Sequence, residues 1–203
     1  EQWDSVHTQL DFNKPIVLAL VTLDDYSVFC SKNTSEKDRE LYKYGMINII
    51  CELLREQYAA EGISLNAEQL VFFINADDAE DKIDEIFDHA RNAILKYLDV
   101  GFTVAMGTPT KADGIANQYS IACTLTQYRY IYGKGSNLKE EVLKTHNDKY
   151  SQLVDDSIAT LSKNLSAGKT DEAREDYTAL IQQMSLLSIG KARIYVVILA
   201  NTF

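Results

Sequence analysis

Pro15-Ile-Val-Leu-Ala-Leu-Val-Thr-Leu23, closed by Asp24-Asp25, is the stretch that decides the fold. It lacks the apolar–polar alternation of a half-exposed strand. It therefore reads as a strand buried on both faces, inside a sheet covered by helices. Two adjacent carboxylates after such a strand have two readings. They sit where metal-holding acids occur in phosphoryl chemistry, and they also suit a solvated turn, which aspartate favours.

Working outward, Ser35 and Asp38 have capping-box-like spacing, with Asp in place of the usual Glu. A helix from there to about Tyr58 places Tyr42, Met46, Ile49, Ile50, Leu53 and Leu54 on one side. After Gly62, a strand over Ile63–Leu65, a turn over Asn66–Glu68 and a strand over Leu70–Ile74 read as a hairpin. Asp77-Asp78 suits the start of a helix, where acids complement the dipole. That helix buries Ile83, Ile86, Phe87, Ala90, Ile94 and Leu98. Phe102, Val104 and Met106 alternate as a strand. A single helix over Lys111–Tyr132 follows, with Ile115, Tyr119, Ala122, Leu125 and Tyr128 inward and Gly133 as its stop.

The order strand, helix, strand, strand, helix, strand, helix is an α+β arrangement of the ferredoxin-like split βαβ kind. Beyond it the pattern becomes helical. Tyr150, Val154, Ile158, Leu161 and Leu165 mark one amphipathic helix. Thr170 caps a second, with Ala173, Tyr177, Leu180, Ile181, Met184 and Leu187 on one face. Lys191–Ala200 reads as a third helix, or as a strand over Ile194–Ile198 on propensity. The expected division is residues 1–135 and 136–203, the latter a small helical subdomain.

Composition limits the function. The chain has 203 residues, 46% hydrophobic and 25% charged, enough for a real core. Its net charge is −10, and its basic residues are interleaved with acids, as at Lys139, Glu140, Glu141 and Lys144. Phosphate backbones repel such a surface, so no direct nucleic-acid contact is expected. Three cysteines, Cys30, Cys51 and Cys123, make no disulfide framework and suit a reducing cytoplasm. No apolar run approaches the ~20 residues of a membrane span, and no signal peptide is visible. Glu1 opens without Met and Phe203 follows an apolar stretch, as in a piece of a longer chain. His7, His89 and His146 show no ligand spacing, and nucleophile-elbow, P-loop and dinucleotide motifs are absent.

The element order and several strings resemble the GGDEF (diguanylate cyclase) family over about Asp11–Gly135. Thr22-Leu23-Asp24-Asp25-Tyr26 stands where the family has D-[IL]-D-x-F, and Asn66-Ala67-Glu68-Gln69-Leu70 where it has G-G-D/E-E-F. Thr103-Val104-Ala105-Met106-Gly107 matches a later T-x-x-x-G, and Gln127–Gly133 echoes the family's ending. The departures are at Thr22 and Gln69, where the family pattern has carboxylates, and at Asn66 and Ala67, where it has glycines. Asp24 and Glu68 survive. Loss of two acids weakens a magnesium-dependent phosphoryl site. The resemblance so read implies a degenerate domain that is not an enzyme, with no catalytic residue, no metal and no cofactor.

A narrower resemblance, carried by Leu23–Tyr26, the helix SEKDRELYKYGMINIICELL and the ending YRYIYGKG, is to degenerate GGDEF-like middle domains of AraC-type bacterial regulators. It implies a cytoplasmic signal-relay or dimerisation module. Its partners would be a sensor or receiver domain and a helix-turn-helix domain of the same chain. A small-ligand or nucleotide sensor and a weakly active diguanylate cyclase are the alternatives. Three apolar stripes in so short a helical part suggest a homodimer through Leu180, Met184 and Leu187, or else closure into a core.

Overall fold

The computed structural model describes residues 8–76, 80–145 and 150–202. The Asp77-Asp78 helix start, His7 and His146 lie outside the described residues. The chain divides into two units, 1–140 and 141–203.

In the first unit the strands β1 (Ile16–Leu23), β2 (Ala60–Ser64), β3 (Gln69–Asn75), β4 (Phe102–Met106) and β5 (Asn137–Leu138) form one sheet in the order β2-β3-β1-β4-β5. β1 is central and buried along its whole length, as its unbroken apolar run requires. It pairs antiparallel with β3 on one side and β4 on the other. Val17, Ala19, Val21 and Leu23 share a core with α2 (Glu36–Arg55) and α3 (Glu80–Leu98). Ile16, Leu18 and Leu20 alternate with them, and so point to the opposite face. α4 (Ile115–Thr126) packs on β1 and β4. In the main core, Phe72 and Phe87 meet edge to face at 6.1 Å. Burying each such side chain contributes about 1.5–3 kcal/mol.

Four features differ from the sequence reading. A short helix α1 (Tyr26–Lys32) follows β1 directly. The expected Lys111–Tyr132 helix breaks into a 3₁₀ turn (Ala112–Gly114), α4 and a separate α5 (Arg129–Tyr132). Gln118, not Tyr119, joins Ala122, Leu125 and Tyr128 on the buried side, because its amide bonds the Thr108 backbone N–H and hydroxyl. β5 pairs parallel with β4, so the division between the units falls after it rather than at Gly135.

The helical unit comprises α6 (Glu141–Thr145), α7 (Ser151–Ser166), α8 (Thr170–Met184) and α9 (Ile189–Thr202). Ile194–Ile198 is helical; the tertiary setting overrides its β propensity. The core joins Val154 and Leu161 of α7, Ala173, Leu180 and Met184 of α8, Leu187, and Ala192 and Tyr195 of α9. This corrects the interface expectation. Leu180 and Leu187 are 0% exposed and Met184 is 5% exposed, so they close the unit's own core rather than face a second chain. No described helix is long and apolar enough to cross a membrane.

Candidate functional site

The C-terminal end of β1 carries a carboxylate surrounded by donors. Asp24 lies beyond the last strand residue, its backbone N–H bonded to the Gly101 carbonyl at 2.8 Å. Its side chain is buried. Oδ1 accepts from the Thr103 hydroxyl at 2.9 Å and from Arg129 Nη1 at 3.2 Å, and Oδ2 accepts from the Gly135 N–H at 3.0 Å. Arg129 Nη1 also reaches the Leu23 carbonyl. Gly135 has φ +72°, a left-handed conformation that glycine adopts without a Cβ penalty, and it directs its N–H at the carboxylate. One acid thus fastens β1, β4, α5 and the turn leading into β5. Charge-assisted bonds of this kind are about twice as strong as neutral ones. Its neighbour Asp25 takes φ +49° and pairs with Lys134 at the surface.

The register brings the other motif positions beside this clasp. Thr22 stands between Gln69 of β3 and Thr103 of β4. Its hydroxyl is buried with no hydrogen-bond partner among the described residues. Gln69 is engaged elsewhere: its Oε1 accepts from Asn66 Nδ2 at 2.7 Å. Asn66 Oδ1 accepts the Glu68 N–H, and the Glu68 carbonyl accepts the Leu23 N–H at 2.9 Å. Ala67 is exposed at the turn, and Leu70 is buried opposite Val21. The side chains at two positions where the resemblance departs, Asn66 and Gln69, therefore close the hairpin on itself.

Beneath the turn lies Lys43 of α2, only 2% exposed. Its ammonium donates to the Asn66 carbonyl at 3.0 Å and pairs with the more exposed Glu40. A cavity of about 350 Å³ opens beside it, lined by Tyr26, Glu36, Arg39, Glu40, Lys43 and residues 64–67. A hydrogen bond with Cys30 is the main cause that raises the Tyr26 hydroxyl above its ordinary 10.0. Among the described residues no group of three or more His, Cys, Asp or Glu side chains is arranged to hold a metal ion.

The structure thus gathers Thr22, Asp24, Asn66, Glu68, Gln69 and Leu70 at one end of β1 and β3. Sequence reading gave no site role to Thr103, Arg129, Gly135 or Lys43. Arg129 and Gly135 lie in the ending YRYIYGKG, which was marked only as a string carrying the narrower resemblance. Lys43 precedes Met46 and Ile50 by three and seven residues, so helical spacing alone places it on the buried side.

No family model matches the chain, and no curated protein matches it. Among solved structures it is similar to the active GGEEF domain of a diguanylate cyclase from Vibrio cholerae. The identity is 8% and the TM-score 0.49, over 63% of this chain and 83% of that one. It is also similar to a microbial GGDEF domain studied for its interaction with cyclic di-GMP, at 9% identity and TM-score 0.48, covering 63% and 80%. A third is the GGDEF domain of DgcB from Caulobacter crescentus in complex with c-di-GMP, at 11% identity and TM-score 0.43, covering 64% and 80%. The fold of the described residues is α+β, a five-stranded sheet with helices followed by a helical unit, as the sequence reading expects. The expectation that the chain is not an enzyme is corrected: the first of these solved structures is described as the active GGEEF domain of a diguanylate cyclase.

Proposed function

We propose that this chain is a cytoplasmic signal-relay module of an AraC-type bacterial transcriptional regulator, built on the GGDEF-like fold. The observation that carries the reading is the Asp24 clasp. Its carboxylate accepts from Thr103, Arg129 and Gly135 together. It couples the hairpin end of the sheet to the 129–138 segment, which runs in sequence into the helical unit. A change at the hairpin is felt at Leu23 through the Glu68 carbonyl, and so at the adjoining clasp. The regulator context rests on the strings Leu23–Tyr26 and YRYIYGKG.

The test is a promoter-reporter assay of the parent regulator with Arg129→Gln, which removes the clasp's cation while leaving Asp24 two donors. The inducing response drops several-fold at unchanged protein abundance, whereas Lys134→Gln, at the exposed pair with Asp25, leaves it intact. An undiminished response in Arg129→Gln overturns the relay. GTP and magnesium are incubated with the purified chain in parallel and the products separated by chromatography. Cyclic di-GMP above a heat-killed control replaces relay by catalysis.

The cavity beside Lys43 and Arg39 favours a second reading, a small-ligand or nucleotide sensor. Arg39 and Lys43 face Glu36 and Glu40 across the lining, and these charges with the turn backbone suit a small polar ligand. A thermal-shift series with GTP, cyclic di-GMP and common metabolites discriminates: a dose-dependent rise in Tm that Lys43→Met abolishes selects the sensor.

A further inference from the structure

Strand β5 depends on side chains for its place. It pairs parallel with β4 through two residues, Asn137 and Leu138, opposite Val104 and Ala105, and the Val104 N–H donates to the Ser136 carbonyl at 3.0 Å. Parallel pairing is slightly weaker per residue than antiparallel, and so short a ladder is marginal alone. Its side chains alternate, as a strand's must. Asn137 and Lys139 reach α3: Asn137 Nδ2 donates to Asp88 Oδ1 at 3.0 Å, Asn137 Oδ1 accepts from Arg91 Nη2, and Lys139 pairs with Asp84. Arg91 also pairs with Asp88, donates from Nε to the Phe102 carbonyl at 3.1 Å, and holds its guanidinium 5.1 Å from the Phe102 ring centre. Leu138, between the two, is the one buried residue of 136–140, and Glu140 accepts from the Thr108 hydroxyl at 3.2 Å.

We propose that residues 136–140 are a releasable strap, held to α3 by Arg91, Asp88 and Asp84, which leaves β4 while the rest of the sheet stays formed, and that this release passes the signal into the chain beyond Glu140. Its use in signalling rests on the relay reading; the strap itself does not. The bonds to α3 are ionic or charge-assisted and only partly shielded: Asp88 is more than half exposed, and Lys139 and Asp84 are each partly exposed. Such bonds fix geometry, yet an exposed ion pair is worth little in water, so they place the strap without making it permanent. β5 ends the order β2-β3-β1-β4-β5, so it can leave without breaking any other pairing of the sheet. Its N-terminal end stays tied, because the Gly135 N–H is held by Asp24, and its C-terminal end runs into α6. β1 is the opposite case, buried along its length between two antiparallel neighbours. A segment held as β5 is opens locally, at lower free energy than the sheet as a whole. Ordering and release of such a segment is a known form of switch, and a signal need only shift the balance between the two states.

Hydrogen exchange of the whole chain, read by mass spectrometry, tests it. The peptide spanning 136–140 exchanges at least about tenfold faster than the one spanning β1. Raising NaCl from ~0.1 to ~1 M shortens the Debye length from about 10 to about 3 Å, and exchange speeds up at 136–140 but not at β1. Arg91→Met speeds exchange at 136–140 by about tenfold, and Lys139→Met by less. Lys32→Gln, at the exposed pair with Asp99, leaves it unchanged. Melting shows each variant folded, and the salt series needs no variant. A wild type in which the two segments exchange alike overturns the strap, as does one in which salt leaves 136–140 unchanged. So does an Arg91→Met variant that speeds β1 as much as 136–140. In the promoter-reporter assay of the parent regulator, Lys139→Met raises uninduced output several-fold at unchanged protein abundance. Unchanged output there overturns the strap's part in signalling, while the relay reading still stands or falls on Arg129→Gln.

Discussion

The two units treat their apolar residues differently. In the α/β unit, apolar pattern and destination agree: β1 is apolar throughout and buried throughout. In the helical unit they part. The stripe that looked available to a partner, Leu180, Met184 and Leu187, is core, and exposed aliphatic residues lie on the outer side of α9. A strand between two others has both faces fixed by register, and one residue of slip would turn every side chain over. A helical stripe states which side is apolar, and leaves open what covers it.

The sharpest way to break this comparison is to place a charge on each kind of stripe. Leu180→Asp buries an unpaired carboxylate in the helical core, and stability falls by roughly 4 kcal/mol, enough to unfold that unit. Ile194→Asp, on the exposed side, changes stability by less than about 0.5 kcal/mol. Urea titrations followed by far-UV circular dichroism separate them. Equal stability in the two variants would dissolve the distinction between core and outer stripe.

The clasp gives the next effect. Asp24→Ala strands the Thr103 hydroxyl, the Gly135 N–H and part of Arg129, and costs roughly 2–4 kcal/mol. Asp24→Asn keeps one acceptor oxygen and loses less. If both variants melt like wild type, Asp24 is a surface turn residue after all.

Lys43→Met is smaller. The methionine occupies the place of the aliphatic stem, and the partner Glu40 is 57% exposed, so no buried charge is left alone. Only the Asn66 carbonyl loses its donor, at about 1 kcal/mol. Hydrogen exchange of hairpin amides is the more sensitive readout, and it speeds up at Glu68 and Gln69.

The smallest effect concerns pH. Burial pushes the Cys51 thiol above its ordinary 9.0, so the folded chain keeps a proton that the unfolded chain releases. That contribution is fully present below the ordinary value and is lost as pH rises above it. Urea midpoints measured between about pH 8 and 10 therefore fall for wild type and fall less for Cys51→Ala. A steeper alkaline decline in Cys51→Ala would assign the slope to another group.

Several parts of this protein were legible in its sequence for local reasons. The order of strands and helices follows from apolar period, and the buried strand at Ile16–Leu23 from an unbroken apolar run. The Asn66–Glu68 turn follows from residue type. The motif positions Thr22, Asp24 and Gln69 could be marked because their spacing from strand ends was readable. The clasp was not legible. Asp24 is separated from Thr103 by 79 positions and from Arg129 by 105, and no local pattern encodes a bond across such a span. The break between α4 and α5 escaped notice because no proline or glycine marks it, and β5 because two residues carry no period. Whether Leu180 faced a core or a partner depended on how α7, α8 and α9 close on one another. Chain composition and periodicity determined which residues leave water; only the tertiary structure decided which residues they meet, because burial is a property of one residue and contact is a property of two.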